Sequence, residues 1–270
     1  MKQLFETTFL ILFIITAVLF VAAQNTDQSQ VLVGKVDAQK NAEFYFKEGL
    51  NYEEKGEFKK AVISYKEAIR LNPKYFEAYT FLGQAYFSMK LFDEAEQAAK
   101  NAIRIKPDFH LAYSLLGGVY YHTNRNKEAI EAYKKAIQFK PDSPYIHFLL
   151  GGAFQDAGRS EEAMEEYKEA IRLEPDFADA HFHLGNMYID AERFDEAMEE
   201  FKIAISLKLK DPRPHFNLAL IYLSQGNKGK ALDEYKILKD LDKDMANQLF
   251  QHIYKSIVRT VFDKLRSTLV

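Results

Sequence analysis

The sequence predicts an all-α fold, a solenoid of six stacked helical hairpins. In this prediction a hydrophobic helix precedes the solenoid at the N-terminal end, and a capping helix follows it at the C-terminal end. Three observations lead to this prediction. The chain repeats itself with a period of 34 residues, and small and aromatic side chains recur within each repeat at the spacing of helix faces. The composition, 47% hydrophobic and 28% charged, is that of a globular protein.

The charge and the cysteine content exclude several classes of function. The 270 residues carry 36 Lys and Arg against 39 Asp and Glu, and this net charge of −3 provides no global basic field for nucleic acid. Because the chain has no cysteine, it can form no disulfide, thiolate metal site or cysteine nucleophile. No nucleic-acid partner is therefore predicted.

Residues 1–23 are dominated by an apolar run from Phe9 to Ala23. Its 15 residues suit a signal peptide, and Val21 and Ala23 are small enough for a cleavage site before Gln24. An uncleaved membrane anchor and a buried helix are the alternatives. Either of the first two interpretations predicts an exported chain, in the periplasm or otherwise outside the cytoplasm, soluble or tethered to the inner membrane. Membrane contact is expected only through residues 1–23, and only if they stay uncleaved.

Residues 24–41 follow the apolar run and open on a polar stretch, Gln-Asn-Thr-Asp-Gln-Ser-Gln. The segment is short of large apolar side chains. This segment is predicted to be a flexible linker.

Residues 42–245 divide into six repeats without any insertion. The repeats are 42–75, 76–109, 110–143, 144–177, 178–211 and 212–245. Position 20 is alanine in all six, at Ala61, Ala95, Ala129, Ala163, Ala197 and Ala231. Position 8 is small throughout, at Gly49, Gly83, Gly117, Gly151, Gly185 and Ala219. Position 32 is proline in the first four repeats, at Pro73, Pro107, Pro141 and Pro175.

This spacing predicts two helices in every repeat. Positions 4, 7, 8 and 11 share one face of a first helix, and positions 20, 24 and 27 share one face of a second. Small residues at positions 8, 20 and 27 allow the two helices to approach closely, while an aromatic residue at position 11 fills the space beside them. A lone hairpin cannot bury both of its faces, so neighbouring repeats are expected to stack.

With these six gapless copies, about three-quarters of the chain resembles the tetratricopeptide repeat (TPR) family. The resemblance implies a right-handed α-solenoid whose first helices line a concave groove that binds extended peptides or helices. Two recognition chemistries of the family are disfavoured. The carboxylate clamp needs Lys at position 5 and Asn at position 9 of one repeat, and no repeat has that pair. The asparagine ladder needs Asn at position 6 throughout, and only Asn217 provides it.

Residues 246–270 carry a broad apolar stripe at helical spacing. The prediction is a capping helix in which Leu249, Ile253 and Ile257 cover the exposed end of the sixth repeat. Self-association through this segment is an alternative use of the same stripe.

No catalytic or metal-binding motif accompanies the repeats, so neither an enzyme nor a cofactor is predicted. Acidic pairs such as Glu165–Glu166 and Glu199–Glu200 are expected on the solvated face of the second helices. His147, His181 and His215 share position 4, where the first three repeats have tyrosine. Because the outer two would lie about 20 Å apart, we expect packing residues rather than a metal site, with a pH-sensitive joint as the minor alternative.

The predicted groove is apolar and aromatic, and two glycines mark its candidate binding site. Gly117 and Gly151 stand at position 8, where helix packing requires a small residue. Gly118 and Gly152 stand at position 9, where packing gives no such requirement. Because glycine weakens a helix, these two positions are predicted to deepen the groove into a pocket, although relief of crowding is an alternative. The remaining predicted lining residues are Ser114, Tyr121, His122, Tyr145, Phe148, Gln155, Phe182 and Asn186.

The function predicted from these observations is an exported, non-catalytic scaffold or adaptor that binds protein or peptide partners in the cell envelope. The alternative is a membrane-anchored assembly factor, or an accessory subunit of an envelope enzyme or secretion complex.

Overall fold

The computed structural model describes residues 39–208 and 210–268, with side chains described as far as residue 258. This part of the chain forms 13 α-helices and no strand. Helix α1 spans residues 39–54. The others are α2 (Phe58–Leu71), α3 (Phe76–Ser88), α4 (Phe92–Ile105), α5 (His110–His122), α6 (Asn126–Phe139), α7 (Pro144–Asp156), α8 (Ser160–Leu173), α9 (Ala178–Asp190), α10 (Phe194–Leu207), α11 (Pro212–Ser224), α12 (Lys228–Leu241) and α13 (Lys243–Thr268).

The two predicted N-terminal segments fall largely outside the described residues. The hydrophobic helix over residues 1–23 and the linker as far as residue 38 lie there. Residues 39–41 belong to α1, so the predicted linker 24–41 is wrong at its last three positions. Gln39, Lys40 and Asn41 are polar and exposed, so neither the repeat period nor an apolar pattern marked where this helix begins. Within the described ranges, no helix is long and apolar enough to cross a membrane.

The helices form two compact units, one ending at Val119 and the other beginning at Tyr120. In the first unit, α1 and α2 form a hairpin, α3 and α4 form the next, and α3 packs against α2. In the second unit, α7–α8, α9–α10 and α11–α12 form hairpins, and each first helix packs on the second helix before it. Helices α3, α5, α7, α9 and α11 begin at the first residues of repeats two to six.

A glycine at position 8 brings the first helices of repeats one, two, four and five against a large side chain. A methyl group on Gly151 would lie 2.8 Å from the ring of Tyr167, and one on Gly185 would lie 2.7 Å from Phe201. Position 24 of the same repeat supplies both rings. Repeat two has alanine at this position, and Leu115 of the next repeat fills the space beside Gly83 instead. In repeats four and five the close approach is therefore a helix-to-ring contact that leaves no room for a methyl group at position 8.

The turn inside every hairpin places position 15 in the left-handed backbone region. Glycine occupies three of these positions with φ of 72–75°. The others hold non-glycine residues at φ of 57–60°, namely Lys90, Asn124 and Glu192. Asparagine tolerates this conformation, whereas lysine and glutamate adopt it at a cost in free energy.

Helix α13 closes the last repeat with one face. Leu249 and Ile253 are buried in a cluster with residues of α11 and α12. Phe250 and Ile257 lie on another face and keep 44% and 41% of their surface exposed. The prediction that Ile257 belongs to the cap is wrong, because the stripe is too broad for one buried face. The helix also begins at Lys243, three residues before the predicted boundary at 246.

Candidate functional site

Helices α7, α9 and α11 are the first helices of repeats four, five and six. We call the surface formed by positions 2, 5, 6, 9, 12 and 13 of these helices the first-helix face. It belongs entirely to the second unit. Its position 5 holds Phe148, Phe182 and Phe216, and its position 13 holds Asp156, Asp190 and Ser224.

An open space lies over Gly152 on this face. A methyl group there would meet just one atom within 4 Å, the Tyr167 hydroxyl oxygen at 3.8 Å. Phe148 and Gln155 lie one turn away on either side of α7, so the three residues share one stripe. Tyr167 Oη donates a hydrogen bond of 2.8 Å to Gln155 Oε1. The result is a hollow with a backbone floor and polar and aromatic walls.

His183 closes the hollow from α9. Its ring centroid lies 5.3 Å from that of Phe148 and 5.6 Å from that of Tyr167. Its Nδ1 is buried and has no hydrogen-bond partner. Burial lowers the pKa of His183, and the nearby Arg213 acts in the same direction. The imidazole is therefore neutral at neutral pH, and the hollow carries no positive charge from this ring. Sequence analysis did not select His183, although its place at position 6 is on the lining.

Tyr121 and Tyr145, two predicted lining residues, belong to the second unit and are both at least partly exposed. Tyr145 keeps 59% of its surface exposed, and Tyr121 is half-buried. Burial raises the pKa of Tyr121 to about 12, with a further contribution from its hydrogen bond to Asp156. The phenol is thus a neutral hydrogen-bonding group, and the adjacent carboxylate adds negative charge to this edge.

Phe182 was predicted to line the groove, but its side chain is buried. Only 9% of its surface remains exposed, because the Arg213 guanidinium lies 4.6 Å above the centre of its ring. Arg213 is held by Asp211 at 2.7 Å and by Asp179 at 2.9 Å. Burial acts to raise the pKa of Asp179, but hydrogen bonds from Lys208 and Arg213 outweigh it and leave that pKa below its usual value. A fixed ion-pair network therefore covers this part of the face.

Asn186 is also engaged within the protein. Its Oδ1 accepts a hydrogen bond of 2.7 Å from Asn217 Nδ2, which joins α9 to α11. Both residues are half-buried. A partner that bonds to this pair would have to use the remaining amide groups or replace the contact.

The other predicted lining residues lie on α5, across the boundary between the two units. Ser114 and Gly118 belong to the first unit and are half-buried, and His122 belongs to the second and is exposed. The structure therefore brings together Phe148, Gly152 and Gln155 on α7. A pocket that combines them with Gly118 stays a prediction.

The three position-4 histidines are buried joints between helices. His147 Nδ1 lies 2.6 Å from Glu166 Oε2, His181 pairs in the same way with Glu200, and His215 Nδ1 lies 2.7 Å from Glu234 Oε2. The described residues contain no group of three or more His, Asp or Glu that could hold a metal ion. Glu166 and Glu200 are thus half-buried partners of histidine, not the solvated charges that the sequence led us to expect.

Three solved structures share this architecture. PilF from Pseudomonas aeruginosa has a TM-score of 0.72 at 16% identity, covering 80% of this chain and 99% of its own. YrrB, described as a TPR protein with an unusual peptide-binding site, has a TM-score of 0.58 at 20% identity, covering 69% and 97%. MamA has a TM-score of 0.54 at 26% identity, covering 60% and 95%. A comparison with curated proteins gives no match.

Comparison of the sequence with known protein families identifies the same repeats as the helical hairpins. The TPR repeat family matches residues 49–90, 117–158, 153–188 and 185–226, which together make up more than half of the chain. A further match to the tetratricopeptide repeat covers residues 76–109. The chain belongs to the tetratricopeptide repeat family.

Proposed function

We propose that this protein is a non-catalytic scaffold that binds a protein or peptide along its first-helix face. Repeats of this family generally serve protein interaction, and the structurally similar YrrB is described as having a peptide-binding site.

The observation that carries this proposal is the hollow over Gly152. Glycine in a helix interior costs about 0.5–1 kcal/mol relative to alanine, and here there is room for a methyl group. Packing therefore does not require this glycine, unlike Gly151 beside it. A hollow with aromatic walls and a few polar groups suits the insertion of a partner side chain.

We further propose that the protein works outside the cytoplasm, in the periplasm. The support is the sequence of residues 1–23, whose apolar run and small residues at Val21 and Ala23 fit export. Mass spectrometry of the protein from its native cell tests this proposal. A chain that begins at Gln24 supports a cleaved signal, whereas a membrane-bound chain that keeps Met1 supports the anchor. Recovery of the protein in the cytoplasmic fraction would refute export.

The binding proposal is tested in two steps. Crosslinking and affinity purification from the native envelope identify the partner, and its affinity is then measured by calorimetry for Gly152→Leu and Gly152→Ala. Filling the hollow with leucine should weaken binding about tenfold, equivalent to about 1.4 kcal/mol, while alanine has a smaller effect. The helical circular-dichroism signal verifies folding. Unchanged affinity in a folded Gly152→Leu protein would place the partner elsewhere.

The exposed side of α13 favours a second candidate function, an assembly factor or accessory subunit that associates through its C-terminal helix. Phe250, Tyr254 and Ile257 follow one another at helical spacing and keep 44%, 57% and 41% of their surface exposed. Light scattering tests self-association directly. A dimer that Tyr254→Ser with Ile257→Ser converts to a monomer supports this candidate, and a monomer at all concentrations contradicts it.

A further inference from the structure

The first repeat exposes a residue that every later repeat buries. Position 3 of the first helix is Phe44, which keeps 62% of its surface exposed. In repeats two to six this position is almost completely buried, at Ala78, Ala112, Ile146, Ala180 and Pro214. Helices α3, α7, α9 and α11 each pack on the second helix before them. Position 3 therefore lies on the side that stacks onto a preceding helix, and α1 has no such helix among the described residues.

A second residue of repeat one, at a position exposed in all six repeats, is apolar where the later repeats are polar. Position 22 is polar in every later repeat and acidic in the last four, at Gln97, Glu131, Glu165, Glu199 and Asp233. In the first repeat it is Ile63, which keeps 69% of its surface exposed. An isoleucine in place of a polar or charged side chain indicates a surface that is covered rather than wetted.

Ile63 borders a groove of about 470 Å³ between α1 and α2. The groove is lined by Tyr45, Glu48, Ile63, Ser64, Lys66, Glu67 and Arg70. The ring of Phe44 meets that of Tyr45 edge-on, with centroids 5.4 Å apart, and this contact extends the apolar surface beyond the groove. We call Phe44, Tyr45, Ile63 and this groove the N-terminal stacking face.

We propose that residues 31–36 of the same chain dock on the N-terminal stacking face. This segment, Val-Leu-Val-Gly-Lys-Val, is the apolar stretch nearest to α1 and ends two residues before residue 38. Val33 lies six residues before residue 39, a reach of about 20 Å when extended. Tyr45 lies about 9 Å along α1 from residue 39, well within that reach.

Charge and connectivity favour this segment over a separate molecule. Lys35 lies within the segment and Asp37 follows it, and the groove rim likewise carries charges of both signs. Because the segment is joined to α1 by a short connection, its effective concentration at the face greatly exceeds that of a second copy in solution. The docking does not depend on the proposed partner site. It leaves residues 24–30 as the remaining link to residues 1–23, a span of about 25 Å at most.

Thiol labelling of the full chain in lipid vesicles tests the proposal, because the protein contains no cysteine of its own. Leu32→Cys reports the docked segment, with Val33→Cys as a second reporter. Ser29→Cys reports the preceding polar stretch. Each reporter is combined with Phe44→Ala and Ile63→Glu. These changes give the first repeat the residue types that later repeats have at positions 3 and 22. Ile237→Glu, at an isoleucine 42% exposed in the second unit, is the matched control.

The expected result is labelling of Leu32→Cys about tenfold slower than that of Ser29→Cys, at a rate independent of protein concentration. The two changes on the stacking face should restore fast labelling, and the Ile237→Glu control should not. Equal rates for the two reporters in the unchanged background would overturn the proposal. Protection that grows with protein concentration would assign the face to a second copy. Protection of Leu32→Cys that persists after Phe44→Ala and Ile63→Glu, or stronger protection of Ser29→Cys, would assign the protection to the bilayer. Protection by a second copy and protection by the bilayer each refute docking.

Discussion

His181 Nδ1 lies 2.6 Å from Glu200 Oε2, and its Nε2 lies 3.0 Å from the carbonyl oxygen of Pro175. One imidazole thus joins a first helix, a second helix and the preceding loop. Each of repeats four to six pairs histidine at position 4 with glutamate at position 23. Repeats one to three pair tyrosine with a small residue instead, as Tyr45–Ser64, Tyr79–Ala98 and Tyr113–Ala132. Two alternative joints therefore occupy the same place in the fold.

This pairing predicts strong coupling between the two positions. Glu200→Ala should lower the free energy of unfolding by about 1–3 kcal/mol, because it leaves a buried imidazole nitrogen without its partner. Adding His181→Tyr recreates the pair found at Tyr79 and Ala98, so the double variant should recover part of that loss. Urea denaturation of the parent, both single variants and the double variant measures the coupling. Strictly additive losses would show that the two side chains act independently.

The same joints predict a pH dependence of stability. Burial acts to lower the pKa of His147, but hydrogen bonds to Glu166 and to the Pro141 carbonyl outweigh it and raise that pKa; the pKa of His181 is raised in the same way by Glu200 and Pro175. A raised histidine pKa stabilises the folded protein fully below the unfolded value of about 6.5. This contribution is lost as pH rises through the raised pKa.

The free energy of unfolding contributed by these two joints should therefore be fully present below about pH 6.5 and fall as pH rises through the raised pKa values of the two histidines. The comparison is between the parent and a variant with Glu166→Gln and Glu200→Gln, whose decrease should be smaller. His183 has a lowered pKa and acts with the opposite sign, but it is present in both proteins and cancels in the difference. Parallel pH profiles for the two proteins would contradict the prediction.

The repeat period was sufficient to locate the hairpins but not their contacts. Alanine at position 20 and a small residue at position 8 are packing constraints that recur every 34 residues, and the frame they define gives the first residue of the first helix in repeats two to six. The Tyr167 ring against Gly151 was missed, since Ala99 interrupts the aromatic pattern at position 24. The histidine–glutamate pairs were missed because their members stand 19 residues apart on different helices. Their joint change between repeats three and four was the signal that could have found them.

The candidate site was predictable to a smaller extent. Sequence identified Gly152 because the glycine has no packing role at its position, and this reasoning needs only the repeat alignment. It could not show that Arg213 covers Phe182 or that Asn217 engages Asn186. Those contacts join neighbouring repeats, and their residue types vary from one repeat to the next.

The two adjacent glycines of α7 should respond to alanine with opposite signs. Gly151→Ala would place a methyl group 2.8 Å from the Tyr167 ring and should lower the free energy of unfolding by about 1–3 kcal/mol. Gly152→Ala has open space and should raise it by about 0.5–1 kcal/mol through helix propensity. Thermal denaturation of the two single variants decides the matter. A similar change of the same sign in both would mean that the ring moves away freely.

The left-handed turn residues offer a second stabilising substitution. Glu192 adopts φ of 57°, whereas Gly158 holds the equivalent turn of the preceding repeat at 72°. Glu192→Gly should raise the free energy of unfolding by about 0.5–1 kcal/mol, because relief of backbone strain exceeds the entropy that glycine adds to the unfolded chain. Asn124→Gly is the control, with a smaller gain expected since asparagine tolerates this region. Destabilisation by Glu192→Gly in urea denaturation would argue against strain at this turn.

Helix α13 should stabilise the last repeat through one face alone. Ile253 is 1% exposed in the cluster formed with α11 and α12, so Ile253→Ala should lower the free energy of unfolding by about 2–4 kcal/mol. Ile257→Ala removes the same atoms one turn later, from a residue that keeps 41% of its surface exposed, and should cost less than about 1 kcal/mol. Denaturation followed by circular dichroism compares the pair at equal protein concentration. Equal losses would mean that the exposed side of α13 is also covered, and a concentration-dependent loss for Ile257→Ala would identify a second copy as the cover.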